Sequence, residues 1–304
     1  MPKLNTISLY EFFKRFPNEE SARVYFENRR WGNTPICGHC SSIDVTECKD
    51  HQPMPYRCRS CRKHFSVRTG SVLAESRLPL HKWLIAMYML TTARKGISSI
   101  QMSKELGVTQ KTAWFLAQRI REAWISSQDD DMDNHVQVDE TFIGGKEKNK
   151  HTSKKLHKGR GSVGKTAVIG MRDDKGVVKA EPIKDVSAST LQGFIKQNAK
   201  EGSTVVTDSF KSYNGLTGYT HKTVNHAIGE YVKDQAHTNG IESFWALLKR
   251  GYQGIYHHMS AKHLHRYVNA FSFRHNTSKI STMVFIDMTV LRMSNKRLTY
   301  RDLI

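Results

Sequence analysis

The spacing of apolar residues changes character near residue 135 of the chain. In the first part, apolar side chains recur every three or four positions, which indicates amphipathic helices. These predicted helices cover 4–30 as one or two segments, 80–90, 98–106 and 109–124. Beyond residue 135, short runs of β-branched residues end at Gly, Asp or Asn, which predicts strands. The predicted strands are 135–143, 166–172, 177–183, 204–207 and 219–224.

Helical spacing returns in the second part at 188–200, 238–251 and 261–274. The predicted order is therefore three strands, a helix, a strand, a turn, a strand and two helices. Successive strands followed by alternation predict a mixed sheet with helices on its faces, within an α+β multidomain protein. The expected divisions are an N-terminal helical segment at 1–30, a cysteine ribbon at 31–70, a helical domain at 71–126, a linker at 127–134 and a sheet domain at 135–304.

The charge of the chain favours a polyanionic partner. Its 304 residues include 47 basic and 28 acidic side chains, which gives a formal charge of +19 and a pI near 9.7. Neutralisation of phosphates by Lys and Arg supplies most non-specific affinity for nucleic acid, so nucleic acid is the expected partner. A merely soluble basic protein is the alternative. No apolar run reaches the roughly 20 residues of a membrane span, and no secretory signal is evident, so we expect a cytoplasmic protein.

Four of the five cysteines follow a metal-binding spacing. Cys37, Cys40, Cys58 and Cys61 form two C-x2-C pairs separated by seventeen residues, the pattern of a four-cysteine zinc site. Four thiolates fill a tetrahedral shell and leave no open position, so the site is expected to be structural. A redox pair would need a preceding strand and a following helix, which the sequence does not suggest. Cys48 is left over as an ordinary small residue.

Residues 98–124 have the pattern of a helix-turn-helix. A short helix ends at Gly107, and Thr109 can begin a second helix whose apolar positions include Ala113, Trp114 and Ala117. In such a unit the second helix enters the major groove of DNA, whereas a plain helical hairpin is the alternative. The polar side chains expected to be available are Gln110, Lys111, Gln118, Arg119 and Arg121.

A basic segment at 146–165 contains eight Lys or Arg residues against one Glu. It suits a phosphate backbone, with a soluble loop as the alternative. The candidate contacts are Lys154, Lys155, Lys158 and Arg160. The segment 159–166 also matches G-x-x-x-x-G-K-T literally. A phosphate-binding loop needs a strand before it and a helix after it, whereas a strand is predicted to follow here, so the match is expected to be accidental.

Three acidic residues are candidates for a metal site. Asp139 and Asp208 lie in β-branched runs, where an unpaired carboxylate is costly to bury, so each is expected to be a ligand or to be charge-paired. Strand alternation turns Glu140 away from Asp139, which makes it the weaker candidate. Glu242 lies on the rim of an apolar helical face. Asn239 and Lys249 share that rim, although an ordinary amphipathic helix is the alternative.

Several segments in combination resemble one family of proteins. They are VDETFIGG, VVTDS, HTNGIESFWALLKRGYQGIYHHMS and KHLHRYVNAFSFRHN, and they resemble bacterial insertion-sequence DDE transposases of the ISXO-like group. The resemblance covers most of the chain and implies a zinc ribbon, a helix-turn-helix and an RNase H-like catalytic domain. By position, Asp139 and Asp208 match the first two catalytic residues. Glu242 is the expected third ligand, with Asn239 kept open and Lys249 as the basic member.

The resemblance also implies a mechanism and partners. Mg²⁺ or Mn²⁺ would be held by Asp139, Asp208 and Glu242, with Asp139 bridging two ions, and Lys249 would orient DNA. Zn²⁺ would occupy the ribbon. The implied activity is cleavage of double-stranded DNA at the element ends and joining to target DNA, by a homo-oligomer near the nucleoid. A DNA-binding regulator with an inactive catalytic domain and a non-transposing nuclease are the alternatives.

Overall fold

The computed structural model describes residues 6–125, 131–156, 161–224 and 238–304. The chain forms two compact units. The first comprises Met1–Ile125 together with Lys279–Ile304, and the second comprises Ser126–Ser278. No helix among the described residues is both long enough and apolar enough to cross a membrane.

The first unit joins a helical bundle to a small sheet. Its strands β1 (Val45–Glu47), β2 (Tyr56–Cys58) and β3 (His64–Phe65) form an antiparallel sheet in that order. The helices are α1 (Leu9–Arg15), α2 (Glu19–Trp31), α3 (Leu80–Thr92), α4 (Ser99–Leu106), α5 (Gln110–Trp124), α9 (Thr282–Leu291) and α10 (Tyr300–Leu303). At the start of α1, α2, α4, α5 and α9, a Ser, Asn or Thr side chain accepts a backbone N–H and so caps the helix.

The C-terminal segment belongs to this first unit, although the sequence assigned 279–304 to the sheet domain. The indole Nε1 of Trp124 in α5 donates to Thr289 Oγ1 of α9 at 2.9 Å, and both residues are buried. Lys296 Nζ donates to the carbonyl oxygens of Glu122 at 3.2 Å and Ala123 at 3.0 Å, at the end of α5. The order of the elements along the chain does not predict that residues 279–304 pack with the first unit, because an apolar terminal helix can pack on any exposed apolar face.

The second unit is built on a five-stranded mixed sheet in the order β6-β5-β4-β7-β8. Strands β4, β5 and β6 pair antiparallel, whereas β7 and β8 run parallel to β4. A π-helical turn at Tyr252–Tyr256 follows α7. The elements are β4 (His135–Ile143), β5 (Thr166–Asp173), β6 (Val178–Ile183), α6 (Ala188–Asn198), β7 (Thr204–Thr207), β8 (Thr220–Thr223), α7 (Asn239–Gly251) and α8 (Ala261–Asn276).

Helices cover both faces of this sheet. On one face, Val136 and Val138 of β4 share an apolar core with Leu191 of α6. On the other, Val168 of β5 packs with α7 and α8, including Trp245. The alternation of β-strand side chains explains why a single sheet supports two cores. The predicted mixed sheet flanked by helices is confirmed.

The described part of the predicted linker at 127–134, residues 131–134, contains one buried residue. Met132 is buried in the α6-side core and forms a parallel bridge with Ala199. Its backbone N–H donates to the Asn198 carbonyl at 2.8 Å, and its carbonyl accepts from the Lys200 N–H at 2.8 Å. A single apolar residue among several aspartates does not indicate a buried position in the sequence. Residues 126–130 lie outside the described residues.

Candidate active site and cysteine metal site

Asp139, in the middle of β4, and Asp208, directly after β7, lie on two neighbouring parallel strands. Gln137 of β4 pairs with Val206 of β7, and each aspartate follows two residues beyond its member of this pair. Residues 137 and 139 point to the same face of the sheet because side chains alternate along a strand. That face is the one covered by α7, since the Gln137 side-chain oxygen accepts from the Ile241 backbone N–H at 3.1 Å.

A glycine lets α7 approach the sheet next to Asp139. Gly170 of β5 lies directly opposite Asp139 in the antiparallel ladder. A Cβ added there would be 2.6 Å from the indole ring of Trp245 and 3.1 Å from Ile241. Only a residue without a side chain allows this contact. The ring therefore lies against the backbone of β5, which fixes α7 over the middle of β4 beside Asp139.

Trp245 contacts the first aspartate directly. Its Nε1 donates to Asp139 Oδ2 at 3.0 Å, and the tryptophan is only 3% exposed. Glu242 lies three residues earlier on α7 and is exposed, with its Oε1 accepting from Thr238 Oγ1 at 2.8 Å. Glu242 therefore lies one turn of α7 from the residue that contacts Asp139.

Asp139 is largely buried and is influenced by the charges of other acidic side chains. Burial raises its pKa to about 7, and the negative charges of Glu140, Asp208 and Glu242 add to the increase. An ionised carboxylate here is thus destabilised by its surroundings. A bound cation would offset both the burial and the repulsion.

The donor chemistry fits a hard divalent cation. All three acids offer carboxylate oxygens, the donors preferred by Mg²⁺ and Mn²⁺. The carboxylates are not gathered tightly: in the described part of the chain, only the four cysteines place three or more ligand atoms within 4.8 Å of one another. Two ions 3.5–4 Å apart can be held by a wider set of carboxylates, because no single ion needs all of them.

Glu140 faces the opposite side of the sheet from Asp139, as alternation predicts. Its Oε2 accepts from the hydroxyl of Tyr213 at 2.6 Å, and Tyr213 is fully buried. Burial, opposed in part by this hydrogen bond, raises the pKa of Glu140. Sequence reasoning missed both aromatic donors and assigned Trp245 only to an apolar face. The available signal was that a buried Trp N–H or Tyr O–H normally has a polar partner.

The two remaining candidates on α7 lie at its ends. Asn239 is the first residue of the helix, one turn before Glu242, and is exposed. Lys249 is exposed in the last turn, two turns beyond Glu242. Both lie on the same edge of α7 as Glu242. The role of Asn239 as a metal ligand and that of Lys249 as a DNA contact stay predictions.

The four predicted cysteines converge on one point in the ribbon. The Sγ atoms of Cys37 and Cys61 are 3.7 Å apart, and those of Cys40 and Cys58 are 3.6 Å apart. Tetrahedral zinc with Zn–S bonds of about 2.3 Å requires sulfur separations of about 3.8 Å, so the cluster fits zinc. The predicted cysteine cluster is confirmed, and Cys48 lies outside it.

Local backbone geometry shapes both cysteine pairs. The N–H of His39 donates to Cys37 Sγ at 3.4 Å, and the N–H of Cys61 donates to Cys58 Sγ at 3.5 Å. The residue after each pair, Ser41 or Arg62, has a positive φ near 60°. The two turns thus direct backbone donors at the sulfurs, which favours thiolates.

Two family models match the chain. The ISXO2-like transposase domain matches residues 131–276, and the transposase zinc-ribbon domain matches residues 17–64. The first match contains all three acids, and the second contains all four cysteines. The chain belongs to the ISXO2-like transposase family. The resemblance seen in the sequence is thereby confirmed.

Two curated proteins are similar to the chain. One is an uncharacterized protein in transposable element ISH50 of Halobacterium salinarum, 27% identical over 274 residues, which cover 86% of this chain and 92% of the relative. The other is an uncharacterized transposase-like protein of Haemophilus influenzae. It is 29% identical over 106 residues, covering 34% of this chain and 85% of the relative.

Helices α4 and α5 of the family member meet at a tight turn. Gly107 ends α4 in the left-handed conformation, with φ 58° and ψ 52°, and the Thr109 side chain caps α5. Gln110 and Lys111 are exposed at the start of α5. The Lys111 ammonium lies 4.4 Å from the ring centroid of Tyr300. Both side chains are exposed, and their contact with DNA stays a prediction.

Arg119 is a correction to the predicted DNA-binding surface. It is only 5% exposed, and its Nη2 donates to the Ala74 carbonyl at 2.6 Å. Its guanidinium also lies 5.1 Å from the Trp83 ring and 5.2 Å from the Phe115 ring. The second half of α5 is enclosed by its own unit, so these polar residues face protein. Two further members of the predicted polar face, Gln118 and Arg121, are also buried.

The basic segment is described only in part. Lys158 and Arg160 lie outside the described residues, as does the side chain of Lys154. Lys155 is half-buried after a short 3-10 turn at Thr152–Lys154. Thr166 begins β5 and not a helix, so the mechanism of a phosphate-binding loop does not apply to 159–166.

Proposed function

We propose that this protein is an active DDE transposase that cleaves and joins DNA by phosphoryl transfer at Asp139, Asp208 and Glu242. One observation carries the proposal: Trp245 of α7, one turn beyond Glu242, donates to Asp139 Oδ2 at 3.0 Å in the middle of a central strand, where burial and neighbouring acids, Asp208 and Glu242 among them, raise the pKa of Asp139. Acids from two strands and one helix are thus close enough to interact. A sheet with β4, β5 and β6 antiparallel and β7 parallel to β4, covered by helices, supports an RNase H-like fold.

The protein residues have distinct roles in this proposal. Asp139 would be the shared ligand, because its strand is next to that of Asp208 and it accepts a hydrogen bond from α7, which carries Glu242. Asp208 holds the β7 side and Glu242 the α7 side. When bound, two Mg²⁺ ions supply activation of the attacking oxygen and stabilisation of the leaving oxygen. Lys249, exposed two turns along α7, holds a DNA phosphate by charge.

Glu242 is the proposed third ligand in preference to Asn239. Glu242 lies one turn before Trp245, which donates to Asp139 Oδ2 at 3.0 Å. Asn239 is the first residue of α7 and lies one turn before Glu242, further from this contact along the helix. A carboxylate also binds Mg²⁺ more strongly than a neutral amide, because it contributes a charge.

The first unit supplies the proposed contacts to double-stranded DNA. Helices α4 and α5 act as a helix-turn-helix, with Gln110 and Lys111 facing the major groove. The cysteine ribbon presents further basic side chains, and Lys154, Lys155, Lys158 and Arg160 provide phosphate contacts from the second unit. Two element ends must be joined in one reaction, so a homo-oligomer is proposed to assemble on DNA.

The test is a cleavage and joining reaction with DNA that carries the element ends, in Mg²⁺ and in its absence. Asp139→Ala is expected to lower the rate by at least about 1,000-fold, because no other group can replace a shared ligand. Asp133→Ala is the matched control. Asp133 is an exposed acid that precedes the same strand and pairs with Lys200 at 3.5 Å, so its loss should leave the rate unchanged.

The pattern of products separates the alternatives. Cleavage without joining would indicate a nuclease, and DNA binding without cleavage would indicate a regulator. Equal cleavage by wild type and Asp139→Ala would refute the proposed site. Comparison of Glu242→Gln with Asn239→Ala identifies the third ligand, since only the true ligand should reduce cleavage by orders of magnitude.

A further inference from the structure

The hydrogen bond between Trp245 and Asp139 joins two elements at the proposed site. The donor is the indole Nε1 of a residue that is 3% exposed, and the acceptor is Asp139 Oδ2 at 3.0 Å. A carboxylate has about four lone-pair directions, so one accepted bond leaves room for metal coordination. The same bond restricts rotation of the carboxylate about its Cβ–Cγ axis.

The indole ring is itself held in a fixed position. Its edge lies against the backbone at Gly170, where an added Cβ would be 2.6 Å from the ring. The start of α7 is held by the bond from the Ile241 N–H to the Gln137 side chain at 3.1 Å. The neighbouring ring of Phe244 lies 5.2 Å away, centroid to centroid. These contacts leave the indole N–H one direction, toward Asp139.

We infer that Trp245 is a positioning residue that orients the Asp139 carboxylate for divalent metal binding. The inference rests on the proposed function, because it assumes that Asp139 is a ligand. A hydrogen-bond donor behind a ligand fixes its orientation, and its loss typically reduces metal affinity or activity by about 10–100-fold. Glu242 lies one turn before Trp245 on the same helix. The contact of Trp245 with Asp139 therefore also fixes the position of Glu242 relative to Asp139.

Tyr213 provides a matched control, because it donates to the neighbouring acid of the same strand. Its hydroxyl donates to Glu140 Oε2 at 2.6 Å, and the residue is fully buried. Tyr213 and Trp245 thus each give one buried hydrogen bond to one of two consecutive acids, from opposite faces of the sheet. If any buried hydrogen bond to an acid of β4 supported metal binding, loss of either donor would lower the affinity for a divalent cation equally.

The experiment measures Mn²⁺ binding to the full-length, zinc-loaded protein by calorimetry, without DNA. Trp245→Phe removes the N–H and keeps an aromatic ring. It should raise the Kd for Mn²⁺ by about 10–100-fold, whereas Tyr213→Phe should change it by less than about threefold. The Mg²⁺ concentration that gives half-maximal DNA cleavage should shift in the same order. Asp139→Ala defines the background from other Mn²⁺ sites.

The outcomes distinguish the inference from the proposed function. If Asp139→Ala binds Mn²⁺ as wild type does, the proposed metal site fails. If Asp139→Ala loses binding but Trp245→Phe retains it fully, only the positioning role is overturned. Equal losses in Trp245→Phe and Tyr213→Phe would also overturn it. Should Trp245→Phe fail to fold, benzothienylalanine at position 245 replaces N–H by sulfur with nearly the same shape, and the same loss is expected.

Discussion

Asp139→Asn should stabilise the second unit in the absence of divalent cations, and more so as pH rises. The ordinary pKa of an Asp is 3.8, whereas burial and neighbouring acids raise that of Asp139 to about 7 in the folded protein. Between these values the unfolded chain has released its proton but the folded chain has not. The stability of the wild type therefore falls as pH rises from about 4 to about 7, and it levels off above pH 7.

The magnitude follows from the difference between the two pKa values. A difference of about three pKa units corresponds to about 4 kcal/mol, at about 1.4 kcal/mol for each unit. This is an upper limit, because Asp139 is partly exposed and neighbouring acids share the proton balance. We expect a gain of about 1–3 kcal/mol for Asp139→Asn above pH 7. The asparagine oxygen can still accept from Trp245, so the packing of α7 is retained.

The assay is urea unfolding of wild type and variant at pH 5, 6, 7 and 8, with zinc retained and Mg²⁺ removed. The stability difference should grow up to pH 7 and then remain constant. Added Mg²⁺ should stabilise the wild type and leave Asp139→Asn unchanged, because the variant lacks the charged ligand. A difference that does not depend on pH would refute the raised pKa and the electrostatic cluster behind it.

Three further changes test the packing and the cysteine site. Gly170→Ala should lower the free energy of unfolding by about 1–3 kcal/mol, because the added Cβ would overlap the indole ring. The control is Gly193→Ala in α6, where an added Cβ meets open space, and it should be neutral or stabilising in the same unfolding assay. Cys58→Ser should remove the zinc, measured by a colorimetric chelator, whereas Cys48→Ser should retain one equivalent per chain. Lys296→Met should lower the free energy of unfolding of the first unit by about 1–3 kcal/mol in the same unfolding assay. The substitution removes the ammonium group that donates to the carbonyl oxygens at the end of α5.

Local pattern in the sequence predicted most elements of both units. Strand β4 was placed at its observed bounds, because β-branched runs and flanking polar residues act over short distances. Helix α5 was placed equally well by the Thr109 cap. The cysteine cluster was also predictable, since two C-x2-C turns suffice to define four zinc ligands.

Exposure was harder to predict than helix position. Arg119 lies on the polar stripe of α5 in the sequence, yet it is buried against Trp83. An amphipathic pattern identifies the most apolar face of a helix but not how many neighbours enclose it. Met132 shows the opposite case, where one apolar residue in an acidic stretch joins a core. In both, contacts with residues distant in the chain decided the outcome.

The sequence by itself determined the acids Asp139, Asp208 and Glu242, their strand or helix context and the family to which the chain belongs. Only the tertiary structure decided how they meet. The parallel pairing of β4 and β7 aligns the two aspartates, and Gly170 lets Trp245 bring α7 onto the sheet beside them. The physical reason is that propensity and spacing act locally. The distance between carboxylates depends instead on strand register and on one close contact between a ring and a glycine.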